Sequence, residues 1–256
     1  MSFFLKQEFF TPFLSTVAAS ITVLILGAIH QVHSEQRKKL YAVSYMAKVG
    51  CRILQTSLIL RRNTIHPHVE AIKRILSGDQ ELMRTMFLAD EFDIMNDEGI
   101  EFNDLPDEHK ILVGYDDLDL TQNFEFLLSL DRNAKMRDNL NEFVKENLKS
   151  PLEFLKKNPE ERVEALSTYK DYLDRFDHGQ KRSIAFVAYI LLPCIKDYAN
   201  RWSFLIYSKR NITEQFELAK TLKKANAAWV PGPDFFHKSI SGGIQKIVRN
   251  PPPPQE

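Results

Sequence analysis

The hydrophobic pattern of this chain changes character along its length. From Pro12 to Ile29 (PFLSTVAASITVLILGAI) eighteen residues pass without a charge, and the polar members are Ser15, Thr16, Ser20 and Thr22. As a helix rising 1.5 Å per residue this run reaches about 27 Å, close to the hydrocarbon thickness of a bilayer. Beyond it the pattern becomes amphipathic. Between Leu40 and Leu60, Lys48, Arg52 and Gln55 fall on one helical face, and Val43, Met46, Gly50, Ile53, Leu54 and Leu60 on the other. No proline occurs from Phe13 to Asn63, so one long helix leaving the apolar run is expected.

Further along, stop and start signals divide the chain into shorter helices. Thr64 is placed to cap a helix through His66-Pro67-His68 to Ser77, with Gly78 ending it and Asp79 capping QELMRTMFLADEFDIM. NDEGIEFNDLPDE is polar, acidic and loop-like. Leu120 to Leu148 is helical in pattern, with Leu140, Phe143, Val144 and Leu148 on one side. Ser150-Pro151 and Asn158-Pro159-Glu160-Glu161 each place a cap residue before a proline at the first helical position, and the acids of the second also suit the helix dipole. Its stripe is Val163, Leu166, Tyr169, Leu173 and Phe176, ending near Gly179. IAFVAYILLPCI (Ile184 to Ile195) is apolar all round but too short to span, which suits the central helix of a bundle, bent at Pro193. A last helix is expected from about Asn211 to Trp229, followed by a tail carrying VPGPDFF, SGG and RNPPPPQE.

These signals predict an all-α fold, a single N-terminal transmembrane helix followed by a cytoplasmic helical bundle. The expected partition is an extracytoplasmic stub (1–12), a membrane helix (13–30), a basic juxtamembrane amphipathic helix (31–63), a bundle (64–230) and a flexible Pro/Gly tail (231–256). Composition agrees with helix. Only nine glycines occur, three of them in the last 25 residues, whereas strand proteins need turn residues every eight to twelve positions.

Charge sets the orientation. Arg37, Lys38 and Lys39 follow the apolar run, with Lys48 and Arg52 further on, while only Lys6 and the α-amino group precede it. Positive flanks stay inside, so the N-terminus is expected outside an inner (plasma) membrane and the remainder in the cytoplasm. Those five basic residues are the expected contacts to anionic headgroups. The N-terminal MSFFLKQEFFT lacks the net positive region of an export signal, since Glu8 offsets Lys6. Lys+Arg and Asp+Glu balance at 34 each, so no global field for nucleic acid arises and no specific nucleic-acid partner is expected. Locally, Asp79 to Asp119 is strongly acidic; it should face away from an anionic surface or pair with the basic helices.

Candidate chemistry is sparse. Cys51 and Cys194 are too few for a disulfide framework or a thiolate zinc site. His66-x-His68 has no cysteine or convergent carboxylate at helical spacing to complete a ligand set, so neither a metal nor a cofactor is expected. DLDLT (Asp117 to Thr121) has the DxDxT spacing of haloacid-dehalogenase-like phosphatases, but two acids opening a helix at Leu120 account for it equally, and no βαβ alternation follows. In RRNTIHPH (Arg61 to His68), Arg62-Asn63 followed by His68 resembles the motif of HEPN-type ribonucleases, an all-helical family. The resemblance covers eight residues and implies a phosphate-binding role for Arg62 and acid–base work for His68, in a dimer cleft. Pro67 lies inside the motif, where it is expected to break the helix that would present the pair. The residues therefore leave two readings: a membrane-anchored interaction or scaffold protein, whose partner is another protein or a second copy, and a membrane-tethered HEPN-like ribonuclease. By analogy of type, bacterial single-pass proteins with helical cytosolic domains serve envelope-stress or phage-defence systems.

Overall fold

A computed structural model describes residues 2–88, 107–129, 132–148, 150–201 and 206–235. Nearly all of them are helical and none is in a strand, so the chain is all-α across the described residues. Helix α1 (Ser2–Leu60) runs on without interruption into a π-helical turn (Arg61–Ile65) and α2 (His66–Leu76). There follow α3 (Gln80–Leu88), α4 (Asp107–Asp116), α5 (Leu118–Ser129), α6 (Arg132–Asn147), α7 (Pro151–Lys156) and α8 (Pro159–Phe186). A second π-turn (Val187–Leu191) joins α8 to α9 (Leu192–Arg201); α10 (Ile206–Ala225) and a single 3-10 turn (Ala227–Trp229) complete the order.

Capping chemistry explains most of the starts. The Asn158 side chain accepts the Glu161 N–H at 2.8 Å while the Glu161 carboxylate accepts the Asn158 N–H, a reciprocal pair that satisfies two orphan donors of α8. Ser150, Asp79 and Asp117 cap α7, α3 and α5 in the simpler way, each accepting the N–H three residues on. Asp117 is thus a helix cap, and ILVGY before it lies in α4. Gly78 ends α2 with φ of 113°, a left-handed conformation that glycine adopts without strain.

Two expected breaks do not occur, for one shared reason. Thr64 caps nothing and Pro67 does not stop the helix; α1 passes into α2 through the first π-turn. A proline ring collides with the carbonyl four residues back and leaves it without its N–H partner. That carbonyl belongs to Asn63 for Pro67 and to Tyr189 for Pro193, and each lies inside a π-turn. The wider turn relocates the hydrogen bonding by one residue: His66 N–H donates to Arg61 O and Leu192 N–H to Val187 O. The same device accommodates Pro193. Gly179 likewise ends nothing, because α8 carries on to Phe186. Val163, expected on the buried stripe of α8, is 55% exposed.

Among the described residues the interior consists of two apolar clusters threaded by α8 and by the α1–α2 helix. One gathers Leu40, Val43, Met46 and Leu54 of α1 with Phe124, Val187, Leu191, Ile195, Tyr198 and Ile212. The other gathers Ile65, Ile72, Leu140, Phe154, Tyr169, Leu173 and Phe176. From Leu40 onward α1 is the hub, touching α4, α8, α9 and most extensively α10. Gly50 lets the second π-turn approach it: a Cβ there would lie 3.1 Å from Leu191 Cδ2. Exposed positions of this part of α1 are Tyr41, Lys48, Arg52, Gln55 and Ile59, one continuous stripe.

Between Ser15 and His33 the helix stands away from the bundle. Every residue from 15 to 33 is exposed, and one helix among the described residues, beginning at Ser15, is long and apolar enough to cross a membrane. The loop-like stretch before Asp107 and the tail beyond Phe235 lie outside the described residues.

Candidate functional site

Between the two apolar clusters lies a polar seam. On the α1 side it follows Leu58 and precedes Ile65; on α8 it falls between Phe176 and Ile184. Ser57, Arg61, Gln180 and Ser183, all under 9% exposed, are the buried polar residues among those described; Arg61, Gln180 and Ser183 stand at this level and Ser57 one turn before it. Buried polar groups are costly unless paired, so a concentration of them needs an account.

Arg61, the first residue of the π-turn, supplies it. Its Nε donates to Asp177 Oδ1 at 2.7 Å, and Asp177 Oδ2 receives Lys181 Nζ at 2.6 Å. Burial alone would raise the Asp177 carboxyl, but the hydrogen bonds and charges of Arg61 and Lys181 outweigh it and hold the group below its ordinary value. Arg61 Nη1 donates to the carbonyl of Trp229, and the guanidinium lies 5.9 Å from the centre of that indole. His66, one turn along, meets the same indole edge-on at 4.9 Å.

The segment Asn226–Phe235 therefore crosses the seam as a strap. Tyr189, inside the second π-turn, donates its hydroxyl to the carbonyl of Pro231 at 3.0 Å, and Lys223 lies over the Tyr189 ring at 4.8 Å. Phe235 packs on His178 at 5.4 Å, and Arg62 reaches Asn226 Oδ1 at 3.4 Å. Val230 and Phe235 also pack against the first apolar cluster.

The residues singled out from sequence are distributed differently. Arg62 is exposed and bonds Asn63 and Asn226, whereas His68 Nδ1 shares a 3.2 Å hydrogen bond with the buried Tyr169 hydroxyl on α8. They face different neighbours. Burial lowers the His68 pKa, favouring the neutral ring. Lys39 is bound to Asp116 at 2.8 Å, an acid that also accepts the Tyr198 hydroxyl at 3.0 Å; Lys38 meets Glu108 at 3.5 Å. Part of the acidic segment thus pairs with the basic helix. Arg37, Lys48 and Arg52 are exposed. Cys51 is buried, donates to Gln215 O, and is pushed up to about 11 by that burial. Among the described residues no group of three or more His, Cys, Asp or Glu is arranged to hold a metal.

Sequence reasoning missed Arg61 and Asp177, which are 116 positions apart. A usable signal existed: Arg61 stands on the apolar side of α1, three residues beyond Leu58 and four before Ile65. Comparison with protein-family models, with curated proteins and with solved structures finds no match to this chain.

Proposed function

We propose that this is a single-pass membrane protein whose cytoplasmic bundle, assembled on the continuation of its own membrane helix, works by binding other proteins. The observation that carries the reading is the exposure of α1 before the bundle. Ile21, Val23, Leu24, Ile25, Leu26, Ile29 and Val32 are 51–72% exposed. Burying such a side chain fully is worth about 1.5–3 kcal/mol, so removing the exposed part of all seven from water favours a bilayer by roughly 6–12 kcal/mol. That rivals the typical stability of a whole domain, about 5–15 kcal/mol. The polar residues of the run suit lipid too, because Ser20 and Thr22 donate to the Thr16 and Ala18 carbonyls within the helix, each at 2.8 Å.

Helix geometry refines the headgroup contacts. Arg37, Lys38 and Lys39 lie ~8–10 Å along the axis from Val32, within reach of anionic lipid. Lys48 and Arg52 lie ~24 and ~30 Å along it, beyond the ~8–10 Å Debye length. We assign Arg37 and Lys38 to the membrane surface, Lys39 to its pair with Asp116, and Lys48 and Arg52 to the solvent stripe of the bundle. Pairing of Lys38 and Lys39 with acids does not alter the orientation, since the positive-inside bias depends on Lys and Arg and little on acids.

Alkaline carbonate should leave the full chain in the membrane fraction, and a reporter fused after Glu256 should register cytoplasm. Release by carbonate would refute the span, and reporter activity on the outer side would refute the orientation.

A further inference from the structure

The strap meets the bundle in a specific way. It contributes main-chain carbonyls, those of Trp229 and Pro231, and the bundle contributes one side-chain donor to each. Both donors, Arg61 and Tyr189, sit inside π-turns, where an inserted residue widens the helix and re-aims its side chains. A neutral indole fills the space over the guanidinium, flanked by His66. Between its 3-10 turn (Ala227–Trp229) and Gly232 the strap leaves helix, with Val230 extended; donors aimed at two carbonyls of such a proline-containing stretch, with an aromatic seat beside them, are how grooves recognise peptides whose own backbone bonding is minimal. Outside its helical turns the strap's internal main-chain bonds are Trp229 N–H to Asn226 O and Phe235 N–H to Gly232 O.

We propose that the two π-turns form a peptide-recognition groove, and that Asn226–Phe235 is its resident, self-blocking ligand. The external ligand is an extended protein segment of the same chemistry, an aromatic residue followed two positions later by a second free carbonyl at proline. Asp177 fixes the Arg61 guanidinium, so the donor is set before any ligand arrives. The inference stands on the bundle alone and does not depend on the bilayer reading.

The test uses the full-length protein in detergent and a fluorescein-labelled synthetic peptide, NAAWVPGPDF, copied from residues 226–235. Trp229→Ala weakens the resident strap and leaves the groove whole. Fluorescence anisotropy should show the peptide binding this variant at least tenfold more tightly than the wild type. Adding Tyr189→Phe should weaken that binding about threefold to tenfold, the worth of one net hydrogen bond. Hydrogen exchange should show residues 227–235 opening at least tenfold faster in Trp229→Ala while α8 is unchanged. Tyr189→Phe alone, which keeps the ring and removes only the hydroxyl, should also speed strap exchange, and it serves if Trp229→Ala lowers helicity. The proposal is overturned if the peptide binds Trp229→Ala no better than wild type. It is equally overturned if strap and α8 amides exchange together in both variants, since the strap would then be part of the core.

Discussion

Replacing Arg61 by alanine tests the polar seam most directly. Removing one member of a buried ion pair costs about 3–5 kcal/mol, because the other charge is left desolvated. Here the Arg61 side chain is 10% exposed and Asp177 19%, so the desolvation applies with little discount. Asp177 keeps Lys181 at 2.6 Å, which holds the penalty at the lower end of the range. The lost bond to the Trp229 carbonyl adds about 0.5–1.5 kcal/mol. The expected total is about 3.5–4.5 kcal/mol. Lys181→Ala removes the rim partner, whose side chain is 36% exposed, and should cost no more than about 1 kcal/mol. Arg61→Met with Asp177→Leu removes both charges and should recover most of the loss, as apolar replacements of buried pairs do. Guanidinium denaturation of the detergent-solubilised chain at pH 7, followed by far-ultraviolet circular dichroism, reads all three. If Arg61→Ala and Lys181→Ala agree within about 0.5 kcal/mol, or the double replacement is no better than Arg61→Ala, the seam is a solvated surface feature and the reasoning fails.

Three further outcomes follow from the same coordinates. Leu24→Arg, at the middle of the exposed apolar run, adds about 2.5–3.5 kcal/mol to insertion and should raise the carbonate-extractable fraction; an unchanged fraction would contradict a span centred there. Gly50→Val should destabilise by about 1–3 kcal/mol, since even a Cβ meets Leu191, whereas Gly27→Ala, with nothing within 4 Å, should be near neutral; equal effects in thermal melts would refute the close approach. Because burial lowers the folded His68 pKa beneath its ordinary 6.5, the unfolded chain takes up the proton first as pH falls. Stability should therefore decline from about pH 6.5 towards the folded pKa, and His68→Gln should flatten that part of the profile. The Asp177 contribution, with its folded pKa depressed, should disappear only in more acid solution, below its ordinary 3.8. A profile for His68→Gln identical to wild type between pH 5 and 7 would remove His68 from the account.

Local signals in the sequence translated well into structure where the physics is local. The reciprocal cap at Asn158 and the caps at Asp79 and Ser150 depend on neighbours three residues away, and all three formed. The proline-free length of α1 and the all-round apolar run at Ile184 also depend on short windows. Thr64 and Pro67 misled because a helix already propagating through a packed hub can absorb a proline by adding one residue to a turn. A propensity rule places no π-turn, since tertiary packing sets whether it is cheaper than a break. The site was legible only in part. RRNTIHPH drew attention to the right eight residues, but the motif resemblance selected Arg62 and His68, and the structure buries Arg61. Which of two adjacent arginines points inward depends on the phase of a helix whose count shifts within that very segment. Its partner Asp177 lies amid the acids and bases of α8, and nothing in its local pattern distinguishes it.

The hub position of α1 has a consequence for synthesis. This helix is made before every element that packs on it, and its most extensive neighbour, α10, comes roughly 150 residues later, which at about 5–20 residues per second is a wait of about 7–30 s. Throughout that interval the side of α1 that α10 will cover stays open. The first apolar cluster cannot close on the ribosome before α10 has emerged, so this chain folds its centre last. A nascent chain stopped ahead of Ile206 should be a client of chaperones, whereas one stopped within the tail beyond Phe235 should not.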